Sequence, residues 1–330
     1  MKSHEIESLN KMTLDEYKAK YNQNYSSNSA RKLLAFLAAT IGIVVGVCLT
    51  LLVLRFFEIN FYAGIGSIVV AIAIFIFAYV LPLVRIYRLP YFQTNLRSVS
   101  LRDAKRNNRK ARSQIADHMI ELSTVTSDVD WYDVALITAL KTARETKDDK
   151  AVTATLGEIY AGSVKKVTSK MIHDRAIQIA LLTATSASEK LDTIVVATLE
   201  LSLVKDIMFL YGFRPSNAKL VRVFRTILMN SLVAYGASSF AQKVLGKGLE
   251  GIPVLGGLLA ALATSATEAA VNGALTVVIG NQTVKYLREE YRLQQIVDGL
   301  VIDVANEDKL IAEIENEIDK KQKNLKKPAN

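Results

Sequence analysis

The chain has 330 residues, half of them hydrophobic, and a formal net charge of +9 from 41 basic and 32 acidic side chains. One cysteine excludes a disulfide framework within the chain, and three scattered histidines leave no cysteine- or histidine-based zinc site. The positive charge is local: nine cations between Arg85 and Arg112 face Asp103 alone, which speaks against a globally basic nucleic-acid binder.

Residues 1–32 form a polar N-terminus. Leu33 to Leu54 then runs for 22 residues without a charge, and Phe61 to Val84 for 24. Each exceeds the roughly 20 residues that cross a bilayer as a helix, so residues 33–84 are predicted to be a two-helix transmembrane hairpin with a joint at residues 55–60. Gly42 and Gly46 form a GxxxG pair, and further small residues (Gly64, Gly66, Ala71, Ala73) permit close helix approach. Aromatics gather at the boundaries: Phe56, Phe57, Phe61 and Tyr62 at the joint, Tyr87 and Tyr91 at the far end. Arg31 and Lys32 precede the first run and the basic cluster follows the second. The positive-inside rule therefore predicts a multi-pass membrane protein with both termini cytoplasmic. Cys48 lies within the first run and is read as packing.

The basic juxtamembrane collar, residues 85–112, comprises Arg85, Arg88, Arg97, Arg102, Lys105, Arg106, Arg109, Lys110 and Arg112. Ser100 is expected to cap a helix here, with Asp103 three residues on as in a capping box. Leu101, Ala104 and Ala111 are too few for a strong apolar stripe. Such a collar is attracted to anionic lipid head groups by about 1 kcal/mol per residue near the surface. It lacks interleaved aromatics and is tethered at the bilayer, so nucleic acid is not expected as a partner.

Residues 113–186 read as short amphipathic helices, with breaks at Asp130–Asp133 and Asp148–Lys150. His118 and His173 are expected at surface or capping positions. Leu191 to Tyr211 is a strongly apolar helix that Gly212 should terminate, and Ser216 should cap the next. After a break at residues 246–253 a long helix is predicted over 254–291. Gly257, Ala261, Ser265, Ala269 and Gly273 recur along it every four residues as a helix-packing strip. Beside the strip runs a row with Glu268 and Asn272. The helix suits either a third membrane-embedded segment or the core of a cytoplasmic bundle, and its polar row favours the bundle. Residues 292–330 are a charged helical tail.

No phosphate-binding loop, GxSxG, HExxH, CxxC or dinucleotide fingerprint is present, so no catalytic residue, metal or cofactor is assigned and the protein is read as a non-enzyme. The notable polar residues are Glu200, Glu268 and Asn272 in apolar helices. A buried carboxylate there is expected to pair with a cation such as Lys205 or Lys243.

Three stretches resemble a known family. They are LDTIVVATLELSLVKDIMFLYGF with Asp192 and Tyr211–Gly212, RVFRTILMNSLVAYGAS, and IPVLGGLLAALATSATEAAVNGALTVVIGNQTVKYL. Together with the hairpin and collar they are similar to the YcjF-type bacterial inner-membrane proteins. The match falls in residues 187–291; no proline precedes Asp192, and the asparagine of the first helix is absent. The C-terminal domain of that family, of unknown function, also occurs fused to or encoded beside GTPases. The resemblance supplies no catalytic residues and implies a membrane-anchored module that works with a GTPase or another protein partner.

The expected fold is thus all-α, a transmembrane hairpin followed by a cytoplasmic, membrane-associated helical bundle. The expected function is that of a membrane-anchored, non-enzymatic helical interaction protein. The alternative is a channel, transporter or membrane-perturbing protein using helix 254–291. Neither reading fixes the oligomeric state.

Overall fold

The structure, a computed structural model, describes residues 13–21, 27–97, 99–125, 133–186, 188–234 and 268–300. These residues form ten helices and no strand. A short α1 (Leu14–Tyr21) precedes the two apolar helices, α2 (Ser27–Ile59) and α3 (Phe61–Arg88). The six-residue joint expected between them shrinks to Asn60, because Arg55 to Ile59 simply continue the first helix. The Asn60 side chain accepts from the Tyr62 backbone N–H at 2.8 Å and starts α3. A wider, π-type turn at Phe75–Val80 accompanies an inward Tyr79, whose hydroxyl donates to the Ala38 carbonyl. Gly42 makes room for that ring: a Cβ there would lie 2.9 Å from it, whereas one on Gly46 would meet nothing within 4 Å. Of the GxxxG pair, only Gly42 serves close packing.

Helix α4 (Leu101–Val125) carries the collar and is followed by α5 (Val134–Glu145), α6 (Asp149–Ala161) and α7 (Ser163–Thr185). Then come α8 (Glu189–Tyr211), α9 (Asn217–Ala234) and α10 (Glu268–Gly299). The starts follow local chemistry. Asp133 accepts from Ala135 N–H at 2.8 Å, and Asp148 from Lys150 and Ala151 N–H at 3.0 Å. Ser100 accepts from Asp103 N–H at 3.1 Å while its hydroxyl donates to that carboxylate at 2.8 Å, the anticipated box. Ser216 departs from expectation. Its carbonyl accepts from Leu220 N–H, but its buried hydroxyl has no partner among the described residues.

Gly212 ends α8 in the left-handed conformation, φ +73°. His118 of α4 lies over this end, 2.9 Å from the Phe209 carbonyl, in a capping position. Helix α10 passes residue 291 and continues through Gly299. The segment 254–267, with Gly257, Ala261 and Ser265, lies outside the described residues, as do residues 301–330 of the tail.

Helices α7, α8, α9 and α10 pack into the body, and α2 lies against α8 and α9. One hydrophobic cluster runs without a break from Leu34, Ile41 and Val45 of α2 through Leu201, Leu203, Phe224 and Ile227 to Ile279. The apolar hairpin is therefore built into the body along one face of α2, while α3 is largely uncovered. A second cluster ties Tyr17 of α1 to Leu101 and Ala104 of α4 and to Leu293, Val297 and Leu300 at the end of α10.

Candidate functional site

The collar separates into two sets. Arg85, Arg88, Arg97, Arg102, Arg106, Arg109 and Lys110 are exposed. Arg112 is buried, which corrects its assignment to lipid contact. Its Nε donates to Asp149 Oδ1 at 3.0 Å and its Nη atoms reach Asp149, Gln294 and Asp298. One guanidinium thus joins α4 to the start of α6 and the end of α10. Desolvation alone would lower its pKa, but the Asp149 and Asp298 carboxylates more than offset that and hold it raised. Lys105, half-buried, donates to the Leu300 carbonyl at 2.6 Å, where a cation complements the dipole of α10. Leu101, Ala104 and Ala111, sparse as they are, are all buried, because alanines let α4 approach its neighbours closely.

Glu200 is fully buried, and its partner is not a cation. Oε1 accepts from Asn230 Nδ2 at 2.7 Å and Thr276 Oγ1 at 2.8 Å, so one carboxyl oxygen links α8, α9 and α10. This overturns the expected pairing with Lys205, which bonds Asp206 instead at 2.8 Å; Lys243 lies outside the described residues. Burial pushes the Glu200 pKa up to about 8, and the two hydrogen bonds lower it only partly. Asn272, one turn before Thr276, is fully buried, with neither amide atom partnered among the described residues. Glu268 begins α10, and its side chain lies outside the described set.

Of the packing strip, Gly273 does what small residues are for: a Cβ there would sit 3.1 Å from the Ala180 Cβ. The stronger case is Gly280, from the neighbouring row, whose Cβ would lie 2.6 Å from Ile172. Gly273 and Gly280 together seat α10 on α7; Ala269 beside them is half-buried.

The sequence reading missed a cavity of about 850 Å³ between α6, α7 and α10. Lys165, Lys285, Arg288 and Arg292 line it, against Glu289. Tyr160, Tyr211 and Tyr291 form its floor; Tyr160 stacks on Tyr211 with ring centroids 5.1 Å apart and meets Tyr291 edge to face at 5.0 Å. Tyr160 donates to the Tyr211 carbonyl at 2.8 Å, and the buried Tyr211 hydroxyl has no hydrogen-bond partner among the described residues. Burial pushes the Tyr211 pKa up to about 12, so the hydroxyl stays protonated and available as a donor. A positive rim over an aromatic floor suits an anionic group. The signal was present as cations at three- and four-residue spacing on α10, but not which face they share with α7.

Residues 148–301 match the family described as "Domain of unknown function (DUF697)". The match begins on the Asp148 cap of α6 and ends just beyond α10, so it takes in the whole helical body and is wider than residues 187–291. Over 122 residues the chain is 25% identical to the UPF0283 membrane protein blr7254 of Bradyrhizobium diazoefficiens, covering 36% of this chain and 33% of that protein. The chain thus matches about a third of the length of this curated relative. No solved structure matches it. The chain is similar to membrane-associated proteins of unknown function.

Proposed function

We propose that this is a membrane-anchored, non-enzymatic interaction protein of the bacterial cytoplasmic membrane. The hairpin crosses the bilayer twice, both termini are cytoplasmic, and the exposed collar cations contact anionic head groups. The body presents its cationic cavity to the acidic segment of a protein partner, for which a GTPase is the favoured class. The observation that carries this reading is the single core shared by α2 and the body, which holds the cavity at a fixed place relative to the anchor. The test is a photo-crosslinking residue at Gln295, on the cavity wall, in intact cells. A discrete protein adduct is expected, lost in a Lys285→Glu/Arg288→Glu variant, and GTP binding by the recovered partner would identify its class. Absence of any adduct from folded, membrane-inserted protein would defeat the reading.

The buried layer of Glu200, Asn230, Asn272 and Thr276 favours one second reading, a channel, transporter or membrane-perturbing protein using helix 254–291. That reading requires reconstituted ion flux that changes in Glu200→Gln or Glu268→Gln.

A further inference from the structure

Glu200 gives three helices a common register, because it bonds Asn230 of α9 and Thr276 of α10. Five residues from each bond toward the collar stand Lys205 on α8, Arg225 on α9 and Asn281 on α10. Arg175 of α7 joins the same level through Asp206, at 3.3 Å. Charged and polar side chains therefore form a belt around the body at one height.

Beyond the belt the outward faces change character together. On α7, Lys165, Lys166, Lys170 and Asp174 give way to Ile177, Leu181 and Leu182, of which Leu181 is 62% exposed. On α9, Arg222 and Arg225 give way to Met229, Leu232 and Val233. On α10, Lys285 and Asn281 give way to Val277 and Ala270. On α8 no charge faces outward between Lys205 and Lys190, and Leu191 is 44% exposed. Among the described residues with placed side chains, Glu189 and Lys190 at the α7–α8 turn are the next outward charges, and the long lysine stem suits an apolar boundary.

The hairpin supplies the scale. Cys48 lies beside Thr193 and Lys190, and Arg31 at the other end of α2 lies near Arg214, so α8 runs antiparallel to α2. Counting back from Cys48 and Thr193, the belt at Lys205 stands level with Phe36, within the first turn of the uncharged run that begins at Leu33. The first residue of α8, Glu189 at the α7–α8 turn, lies about 24 Å deeper, 16 residues at about 1.5 Å each. Two boundaries set by different helices thus coincide.

We propose that the half of the body between this belt and the α7–α8 turn is sunk in the bilayer beside the hairpin, its outward side chains meeting lipid acyl chains. The proposal rests on reading α2 and α3 as membrane spans. Lipid is the occupant because the apolar face is continuous in depth with the uncovered face of α3 and is bounded at the same height. In the interior polar layer at that depth Glu200 Oε1 takes both its donors from within the protein, while Glu200 Oε2, Asn230 Oδ1 and the Asn272 amide have no partner among the described residues.

The test uses the full chain with Cys48→Ala, carrying one new cysteine at a time, in vesicles of phosphatidylethanolamine and phosphatidylglycerol with or without brominated acyl chains. Sites are Leu181 and Leu191 in the proposed face, Val69 on the uncovered side of α3, and Lys166 on α7 before the belt; Leu182 replaces Leu181 if that variant misfolds. A bimane label at Leu181 and Leu191 is expected to be quenched by brominated lipid as at Val69, and not at Lys166. The unlabelled thiols should react with an impermeant maleimide at least about tenfold more slowly than at Lys166, since a thiol in hydrocarbon stays protonated. Quenching at Val69 without quenching at Leu181 and Leu191 overturns the proposal and leaves the hairpin standing. A shielded but unquenched site then points to a protein cover, and a reactive one to water. No quenching at Val69 overturns the hairpin reading and the proposal with it.

Discussion

The helical body is held, within itself and to α4 and α6, by different chemistry at its two ends. Toward the collar the contacts are charges and rings: the Arg112 cluster, the Lys219–Glu290 pair at 2.8 Å, and the packed rings of Phe92, Tyr160, Tyr211, Phe213 and Tyr291. Toward the α7–α8 turn the contacts are small residues and neutral hydrogen bonds: Gly273 and Gly280 on α7, and Glu200 with Asn230 and Thr276. A charge pair repays its desolvation only with excellent geometry and added hydrogen bonds, and Arg112 has four. Close backbone contact needs no charge, which suits the end whose outward face is apolar. The same helices thus change their means of association where their surfaces change character.

The collar end should be the more sensitive to losing one side chain. Arg112→Ala removes a buried cation facing Asp149 and Asp298, and the expected loss is about 3 kcal/mol, the low end of the range for breaking a buried pair. The low end applies because both aspartates keep roughly a quarter of their side-chain surface in water. Arg106→Ala, fully outside the cluster, should stay within about 0.5 kcal/mol. Thermal unfolding of both in lipid nanodiscs checks the contrast; equal effects would mean the collar acts only as surface charge.

The other end should answer to pH. The Glu200 pKa is raised from 4.5 to about 8 in the folded chain, so the folded state binds a proton that the unfolded state releases in between. Stability is highest below about pH 4.5, falls as pH climbs toward about 8, and levels off above. Glu200→Gln keeps an oxygen for Asn230 and Thr276 and should remove that contribution. Chemical unfolding of both proteins from pH 5 to 8 measures it as the difference between slopes, which cancels the other titrating groups. Parallel slopes would place a charged carboxylate in the core.

Much of this was legible in the sequence because it is local. The two long apolar helices follow from uncharged length, and the helix starts at Asp133 and Asp148, the Ser100–Asp103 box and the Gly212 end follow from residues within four positions of each other. What was not legible depends on distant partners. Nothing near Arg112 distinguishes it from eight other cations; Asp149 and Asp298 lie 37 and 186 positions away. Glu200 has Lys205 close by in sequence, yet finds neutral partners 30 and 76 positions off. The cavity requires knowing which face of α10 meets α7, and that is set by Gly280, whose row ran beside the more regular glycine–alanine strip.

Gly280 also gives the sharpest probe of close packing. Gly280→Ala puts a Cβ 2.6 Å from the Ile172 Cγ1, too near to be absorbed without moving one helix. Overpacking of this kind costs about 1–3 kcal/mol. Gly46→Ala, on the open side of α2, meets nothing within 4 Å and should be neutral or slightly stabilising, since alanine is the better helix former. Ile172→Ala alone leaves a cavity, but combined with Gly280→Ala it should recover part of the loss, because the clash and the cavity are the same space. A double-mutant cycle read by thermal unfolding measures that coupling. Strict additivity would mean that α10 does not rest on α7 at this point.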